Sequence, residues 1–287
     1  MSSVLPDLLG LLDLEDIEVN VFRGRSPHDE RQRVFGGQVA GQALVAAGRT
    51  VGPERPIHSL HAYFLRPGDP AIPILYDVDR VRDGRSFTTR RVVAIQHGQV
   101  IFQLSASFHV DEPGFDHAAP MPDVPAAEGL PTLQERVQAM GDDVPYWFTR
   151  PRPIDTRYVQ EPWRTPQQGE REPSQQVWMR ADGRLPDDPM LHACVVAYAS
   201  DMTLLDSVLL PHRGELTPAM MMASLDHAMW FHRPFRADEW FLYDQESPSA
   251  AGARGLARGS IYRPDGVLAV SVVQEGLIRT GPSPRRP

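Results

Sequence analysis

An internal repeat constrains the fold of this chain more than any other feature of its sequence. Residues 59–67 read SLHAYFLRP, and residues 224–234 read SLDHAMWFHRP, which is the same pattern with two added residues. Downstream, Tyr76-Asp77 corresponds to Tyr243-Asp244, and further matches follow at nearly the same offset. Because several matched pairs share one spacing, the sequence predicts two tandem copies of a single structural unit.

The sequence of each copy predicts the same order of elements: a short strand, then a helix, then a series of antiparallel strands. Apolar residues at helical spacing mark the helices, and apolar residues alternating with polar ones mark the strands. The first copy has strand 17–22, helix 37–51 and strands 60–66, 74–82, 87–96 and 100–110; the second has strand 175–180, helix 191–205 and strands 225–235, 240–246, 253–263 and 268–278. We therefore predict an α+β fold in which each sheet curls around its helix and the two sheets join edge to edge.

The domain boundaries follow from the repeat and from the distribution of proline. The first unit covers residues 1–112 and the second covers residues 154–280. Between them, residues 113–153 form a connector with many prolines and one helix-like piece at 133–140. The tail, residues 281–287, has no apolar periodicity and is predicted to be disordered.

Composition excludes several classes of function. All 29 basic residues are arginine, against 37 acidic residues, for a net charge of −8. The absence of lysine excludes a phosphate-loop lysine and a Schiff-base lysine. The acidic balance argues against nucleic acid as a partner. The single cysteine, Cys194, excludes an intrachain disulfide and a multi-cysteine zinc site, and the sequence indicates neither a metal nor a cofactor.

The sequence predicts neither a membrane span nor a secretory signal. No apolar stretch reaches the ~18 residues that a membrane span requires. The first residues lack a basic region followed by an apolar one, so no secretory signal is predicted. The expected location is the cytoplasm.

The candidate chemistry lies in the second copy. The helix of the first copy contains no carboxylate, whereas that of the second contains Asp201 among apolar and small neighbours. Ser224 and Gln274 are available on the enclosing strands, and the three groups together could hold and deprotonate a water molecule. Each also has an ordinary alternative: Asp201 as a helix cap or surface residue, Ser224 as a strand-start hydroxyl and Gln274 as a solvent-facing strand residue.

Several motifs resemble one known family. They are residues 34–44 (VFGGQVAGQAL), 58–69 (HSLHAYFLRPGD), 82–87 (RDGRSF), 198–201 (YASD), 225–234 (LDHAMWFHRP), 253–255 (ARG) and 273–276 (VQEG). In order and along nearly the whole chain, they are similar to the type II acyl-CoA thioesterases. The resemblance implies a double hotdog fold and a catalytic Asp, Thr and Gln. Asp201 and Gln274 match two of these, and the Thr position is Ser224.

The resemblance implies hydrolysis of acyl-CoA to a fatty acid and CoA. Asp201 would activate the water, while Ser224 and Gln274 would orient it. Flexible glycines at a helix start are candidates for the backbone donor to the thioester oxygen: Gly36 and Gly37. One hairpin has four arginines that would bind the CoA phosphates, unless they form a solvated strand face: Arg82, Arg85, Arg90 and Arg91.

Other implied features concern the acyl chain and the assembly. The candidates for lining an apolar acyl tunnel are Met220–Met222, Met229 and Trp230, with core packing as the preferred alternative for most of them. The expected substrate partner is acyl-CoA, and hotdog sheets commonly extend across subunits, so a homodimer or homotetramer is expected.

Two other functions remain open from sequence alone. A hotdog enoyl-CoA hydratase would use an Asp-x₄-His pair, and Asp187 and His192 have that spacing before the second helix. The Asn-Pro that follows the Asp in the hydratase pattern is not reproduced. A non-catalytic acyl-CoA-binding protein is the other alternative, and the retained Asp, Ser and Gln argue against it.

Overall fold

The computed structural model describes residues 4–27, 33–139, 152–162, 171–215 and 220–281. Within them, one antiparallel sheet of 13 strands runs through both copies of the repeat. The predicted α+β class and the continuous sheet are therefore confirmed. Apart from Gly281, the predicted disordered tail lies outside the described residues.

The predicted elements occur in the predicted order in each copy. The helices are α1 (Leu5–Leu12), α2 (Gly36–Gly48), α3 (Leu133–Ala139), α4 (Pro189–Ser200) and α5 (Asp206–Leu209), with short 3₁₀ segments at Ala127–Gly129 and Leu210–Glu215. The strands of the first half are β1 (Glu15–Glu18), β2 (Val21–Gly24), β3 (Ile57–Phe64), β4 (Ile74–Asp83), β5 (Phe87–Gln96) and β6 (Gln99–His109). Those that follow are β7 (Ile154–Tyr158), β8 (Ser174–Ala181), β9 (Met221–Ser224), β10 (Asp226–Phe231), β11 (Phe241–Ala251), β12 (Arg254–Tyr262) and β13 (Leu268–Arg279).

The two halves join where the repeated motifs meet. The strand order is β1-β2-β4-β5-β6-β3-β10-β13-β12-β11-β8-β7, with β9 paired to β13 outside this path. At the centre, β3 and β10 pair antiparallel, with Ser59 opposite Trp230 and Tyr63 opposite Asp226. Because β3 and β10 are the equivalent strands of the two copies, each covers the edge that the other would expose.

The central helices of the two halves pack against each other through small residues. A side chain on Gly37 would clash with the carbonyl oxygen of Tyr198 in α4, and one on Gly41 would lie 3.2 Å from the carbonyl oxygen of Cys194. Glycine at these positions therefore allows α2 and α4 to approach closely. Cys194 is fully buried in this packing as a small apolar residue, and burial raises the pKa of its thiol.

Several predicted bounds were wrong for local reasons. The strand predicted at 17–22 is a hairpin, because the chain turns at Asn20, which has a φ of 63°. The second helix ends at Ser200 rather than at residue 205, and Asp201 is its C-cap. The strand predicted at 225–235 is shorter and corresponds to β10 at Asp226–Phe231. A separate strand that was not predicted, β9, precedes it and pairs with a different part of β13. Neither α1 nor β7 was predicted.

Residues 121–130 of the connector pack on the face of the sheet opposite the helices. In β8, Val177 and Met179 belong to the main core, whereas Trp178 between them points to the other face. There its Nε1 donates a hydrogen bond to the carbonyl oxygen of Pro125, 2.9 Å away. The predicted helix in the connector is present as α3, although the boundaries of 113–153 stay a prediction. Among the described helices, none is both long and apolar enough to cross a membrane.

Candidate active site

The three predicted catalytic side chains meet at the C-terminal end of α4. Oδ1 of Asp201 accepts a hydrogen bond from Ser224 Oγ at 3.0 Å and another from Gln274 Nε2 at 2.6 Å. Ser224 ends β9 and lies opposite Gly276 of β13, two residues from Gln274 and thus on the same face of the sheet. The helix end and the paired strands together bring the three groups into contact.

The first half of the chain supplies the other side of this site. The backbone amide of Gly37, in the first turn of α2, also donates a hydrogen bond to Asp201. A Cβ atom on Gly36 would lie 2.6 Å from Oδ2 of Asp201. The whole catalytic group was predicted in the second half, with Gly36 and Gly37 as substrate contacts. The contact of the Gly37 amide with the carboxylate was not predicted.

Burial and hydrogen bonding act in opposite directions on Asp201. Burial raises the pKa of its carboxyl group, and the hydrogen bonds from Gln274, Ser224 and Gly37 lower it; the net result is a raised pKa. A carboxylate in this state accepts a proton more readily than an exposed one does. The arrangement is therefore suited to general-base chemistry near neutral pH.

A cavity of about 530 Å³ opens beside the carboxylate. Asp201 and Ser224 line it, whereas Gln274 is fully buried behind Asp201. Its other lining residues come from both halves and are largely apolar: Val34, Phe35, Gly36, Val39, Phe64, Leu65, Pro67, Gly68, Ile101, Phe102, Met202, Leu205, Met221, Met222, Ala223 and Leu225, with Arg33, Arg66, Thr203 and Asp206 as polar members. Such walls can hold an apolar chain next to a single polar reaction centre.

A buried amide network fixes the turn that follows Asp201. Gln245 Nε2 donates to Thr203 Oγ1 at 2.7 Å, and Gln175 Nε2 donates to the Thr203 carbonyl oxygen at 2.9 Å. Gln175 Nε2 also donates to Gln245 Oε1 at 2.9 Å, so both polar atoms of the Gln245 amide are paired. Gln175, Thr203 and Gln245 were not predicted as functional residues. The available signal was a glutamine at an inward-facing position of each of two neighbouring strands, β8 and β11.

The other predicted substrate-binding residues lie elsewhere in the described structure. Arg82, Arg85 and Arg91 are exposed on the β4–β5 hairpin, outside the lining of the cavity. Arg90 is 2% exposed because its guanidinium points inward, where it donates to Thr50 and Asp83.

Of the predicted acyl-tunnel residues, Met221 and Met222 line the cavity, whereas Met229 and Trp230 do not. Met229 is fully buried, and its sulfur accepts a weak hydrogen bond from Ser200. Trp230 packs edge-on against His61, with ring centroids 5.2 Å apart.

The alternative pair lies at the opposite end of α4 from Asp201. Asp187 forms an ion pair with Arg236 at the surface. His192 is buried and its Nδ1 accepts a hydrogen bond from the Ala237 amide at 3.0 Å. Burial lowers the pKa of His192. The described residues contain no group of three or more His, Cys, Asp or Glu side chains that could hold a metal ion.

Comparisons with known proteins show that this chain is similar to acyl-CoA thioesterases. Residues 148–277 match a family model described as acyl-CoA thioesterase, and residues 25–109 match one described as the acyl-CoA thioesterase N-terminal domain. The chain is 44% identical to human acyl-coenzyme A thioesterase 8 over 287 residues, which is 95% of this chain and 88% of the human protein. It is 42% identical to acyl-CoA thioesterase 2 of Haemophilus influenzae, covering 97% and 99% of the two chains.

This chain is also similar to proteins of solved structure. The acyl-CoA thioesterase II TesB2 of Mycobacterium marinum is 48% identical, with a TM-score of 0.81 over 96% of this chain and 99% of that one. A hot dog fold protein of Alicyclobacillus acidocaldarius is only 19% identical, yet has a TM-score of 0.77 over 96% and 99% of the two chains. The second likeness concerns the fold alone.

Proposed function

The chain belongs to the acyl-CoA thioesterase II family and has its double hotdog architecture, and we propose that its acyl-CoA hydrolysis uses a water molecule activated by Asp201 with Ser224 and Gln274. One observation carries this assignment: a buried carboxylate with two side-chain donors on Oδ1 lies at the wall of an apolar cavity. An apolar cavity fits an acyl chain, and an activated water is the reactant that a thioester needs for hydrolysis.

The two oxygens of the Asp201 carboxylate have different roles, because the side-chain hydrogen bonds go to only one of them. Ser224 and Gln274 both donate to Oδ1, which leaves acceptor capacity on Oδ2, next to Gly36. Oδ2 takes one proton from the water while the water oxygen adds to the thioester carbonyl carbon. The C–S bond then breaks, and the same proton passes to the leaving sulfur. The products are a carboxylic acid and free CoA thiol.

Ser224 positions the water from the strand side. Its hydroxyl proton is directed to Asp201, so its lone pairs are available for the second proton of the water. Serine has no γ-methyl group to restrict its rotamer, and the bond to Asp201 restricts it instead.

We assign the CoA phosphates to arginines at the cavity rather than to the β4–β5 hairpin. Arg33 and Arg66 lie in the cavity lining, whereas none of the four predicted hairpin arginines does among the described residues. Arg66 donates one N–H to the carbonyl oxygen of Val100 at 2.6 Å, which anchors its guanidinium at the cavity. Its remaining N–H groups can bind phosphate oxygens. A homodimer or homotetramer and a cytoplasmic location stay predictions.

The test of this function is a panel of saturated acyl-CoAs of increasing chain length, with free thiol measured by a chromogenic reagent. We expect thiol release in at least part of the panel and no hydration of trans-2-enoyl-CoA measured beside it. Hydration without thiol release would instead favour the Asp187/His192 alternative. Binding of acyl-CoA without either reaction would favour a non-catalytic binding protein.

The pH dependence of hydrolysis should report the state of Asp201. Asp201 must be ionised to accept a proton, so kcat/KM falls as the pH drops through its pKa. Because burial raises that pKa, the acid midpoint should lie above that of an exposed aspartate. Gln274→Leu removes a hydrogen bond that lowers the pKa of Asp201, so its midpoint should move to higher pH.

The matched control for this shift is Gln103→Leu, which makes the same change at an exposed position of β6. Its pH profile should coincide with that of the wild type. An acid midpoint in Gln274→Leu that stays in place or moves to lower pH would contradict the assignment of the acid limb to Asp201.

A further inference from the structure

The segment that contains Asp201 lies outside the regular hydrogen bonding of the helices. Helix α4 ends at Ser200, and residues 201–205 form successive turns before α5 begins. The Asp206 amide donates to the Thr203 carbonyl oxygen, a bond that spans three residues rather than the four of an α-helix. A helix end also leaves its last carbonyl groups without donors from the helix itself. The direction of the Asp201 side chain therefore depends on other contacts that hold these turns.

Side chains of β8 and β11 hold the segment after Asp201. Gln245 Nε2 donates to Thr203 Oγ1 at 2.7 Å, and Gln175 Nε2 donates to the Thr203 carbonyl oxygen at 2.9 Å. The same nitrogen of Gln175 donates to Gln245 Oε1, which turns the Gln245 Nε2 toward Thr203. All three side chains are buried, where a lost hydrogen bond is unfavourable. These bonds therefore favour one arrangement of the turn at Thr203.

Strand β11 also contacts the backbone before Asp201. Tyr243 precedes Gln245 by two residues and lies on the same face of β11, and its hydroxyl donates to the Ser200 carbonyl oxygen at 3.3 Å. That carbonyl group belongs to the peptide bond between Ser200 and Asp201. The Tyr243 ring lies over Gly259 of β12, where an added Cβ atom would collide with it. Two inward side chains of one strand thus hold the chain on both sides of the carboxylate.

The first half of the chain has an apolar residue where the second half has Gln245. Tyr76 and Tyr243 are equivalent in the repeat, so the position of Gln245 corresponds to Val78, which is also buried. Both tyrosine hydroxyls reach the central helix of their own half, and that of Tyr76 donates to Gln42 Oε1 in α2. The fold therefore accepts an apolar side chain at this strand position. The amide occurs in the half whose helix ends in the carboxylate.

We propose that Gln245 is a positioning residue that, through Thr203, keeps the Asp201 carboxylate in place for proton transfer. Gln175 orients the Gln245 amide for this task. The proposal rests on the proposed function, because it concerns how the group that activates water is held. Neither glutamine belongs to the cavity lining, so each acts on the reaction only through the turn.

Gln245→Met tests this role with little change in packing, because methionine has a similar length and volume but no donor. A displacement of about an ångström costs roughly 10²-fold in rate, and loss of one bond to the turn should displace the carboxylate by less. We therefore expect about a tenfold lower kcat for acyl-CoA hydrolysis. KM should stay close to that of the wild type, because residue 245 lies outside the cavity lining.

The pH profile separates this role from a loss of stability. A displaced carboxylate loses part of the hydrogen bonding that lowers its pKa, so the acid midpoint of kcat/KM should move to higher pH in Gln245→Met. Tyr243 stays protonated across this range, because burial and the nearby Asp201 both raise its pKa. A variant that is merely less stable would keep the wild-type midpoint.

Variants of Thr203 remove the same hydrogen bond from its other end. Thr203→Val keeps the shape of the side chain without the hydroxyl, whereas Thr203→Ser keeps the hydroxyl. We expect about a tenfold lower kcat in the Val variant and most of the wild-type kcat in the Ser variant. Combining Thr203→Val with Gln245→Met should be no slower than the slower single variant, since both remove one bond. Because Thr203 lines the cavity, only kcat is compared at this position.

The matched control is Gln176→Met, which makes the same change at the next residue of β8, on the opposite face of the sheet. Gln176 Nε2 donates to Asp244 Oδ1 at 2.7 Å, so this variant also loses a side-chain hydrogen bond between β8 and β11. It should lower thermal stability but keep the wild-type kcat and pH midpoint. A wild-type kcat and midpoint in Gln245→Met, or a Thr203→Ser variant as impaired as Thr203→Val, would overturn the proposal.

Failure of the proposed function has a different appearance. A wild-type protein that releases no thiol, or one whose Asp201→Asn variant retains full turnover, overturns both proposals. Hydrolysis that requires Asp201 but is indifferent to the donor at residue 245 overturns only the role of Gln245. Circular dichroism on every variant identifies a folding defect, and the comparison of Ser with Val at residue 203 remains decisive if Gln245→Met does not fold.

Discussion

Replacing Asp201 with asparagine should lower kcat for acyl-CoA hydrolysis by about 10²- to 10⁴-fold, the range typical of a lost general base. Asparagine has nearly the same shape, and its carbonyl oxygen can still accept from Ser224 and Gln274. Its NH₂ group then stands in place of Oδ2 and donates where the carboxylate accepts. The fold should therefore persist while proton transfer is lost. Thiol release over the full range of substrate concentration gives kcat and KM separately.

Asp244→Asn is a matched control for this substitution. Asp244 in β11 is partly buried, accepts a hydrogen bond from Gln176 Nε2 at 2.7 Å and has a pKa that burial raises. It thus shares the Asp–Gln pairing of the site but lies outside the cavity lining. We expect its kcat to stay close to that of the wild type. An Asp201→Asn variant with unchanged kcat and an intact fold would reject the general-base role.

The fold was largely accessible from sequence because its main signals are local and repeated. The predicted bounds of β5 coincide with the observed Phe87–Gln96. The central helix of the first half, α2, begins within one residue of its predicted start. These elements have clear alternation or helical spacing along their whole length. The predicted strand at 17–22 failed because a single left-handed residue, Asn20, reverses the chain there, and no periodicity reveals one such turn.

The site was only partly accessible for a related physical reason. The residues Asp201, Ser224 and Gln274 stand out by type and by motif, and they are in contact in the structure. The amide of Gly37 reaches Asp201 only because α2 and α4 pack together, and such contacts between distant segments leave no local pattern.

The arginine hairpin was misleading in the same way. Clustering in sequence does not determine direction, and the strand pleat turns Arg90 inward while Arg91 next to it stays exposed. Nor does a hairpin indicate where a cavity opens, which depends on how the two halves of the chain meet. Arg33 and Arg66 lie at that junction without forming a cluster in sequence.

Gly36→Ala should lower kcat by about 10²-fold, which is the effect of displacing a reacting group by roughly an ångström. The new Cβ would lie 2.6 Å from Oδ2 of Asp201 and 2.9 Å from Cε1 of Phe64, so one of these side chains must move. The backbone itself is compatible with alanine, because Gly36 has no positive φ and begins a helix. The loss would therefore come from the space beside Oδ2, where the water is proposed to bind.

Gly10→Ala is the control, since it also changes a helical glycine but has no atom within 4 Å of the new Cβ. It should leave kcat unchanged. The decisive measurement combines Gly36→Ala with Asp201→Asn. If both act on the same proton transfer, Gly36→Ala should cost far less in the Asn background than in the wild type, because the oxygen it obstructs is already gone. Full additivity of the two losses, or a wild-type kcat in Gly36→Ala alone, would show that the reacting water does not bind between Gly36 and Asp201.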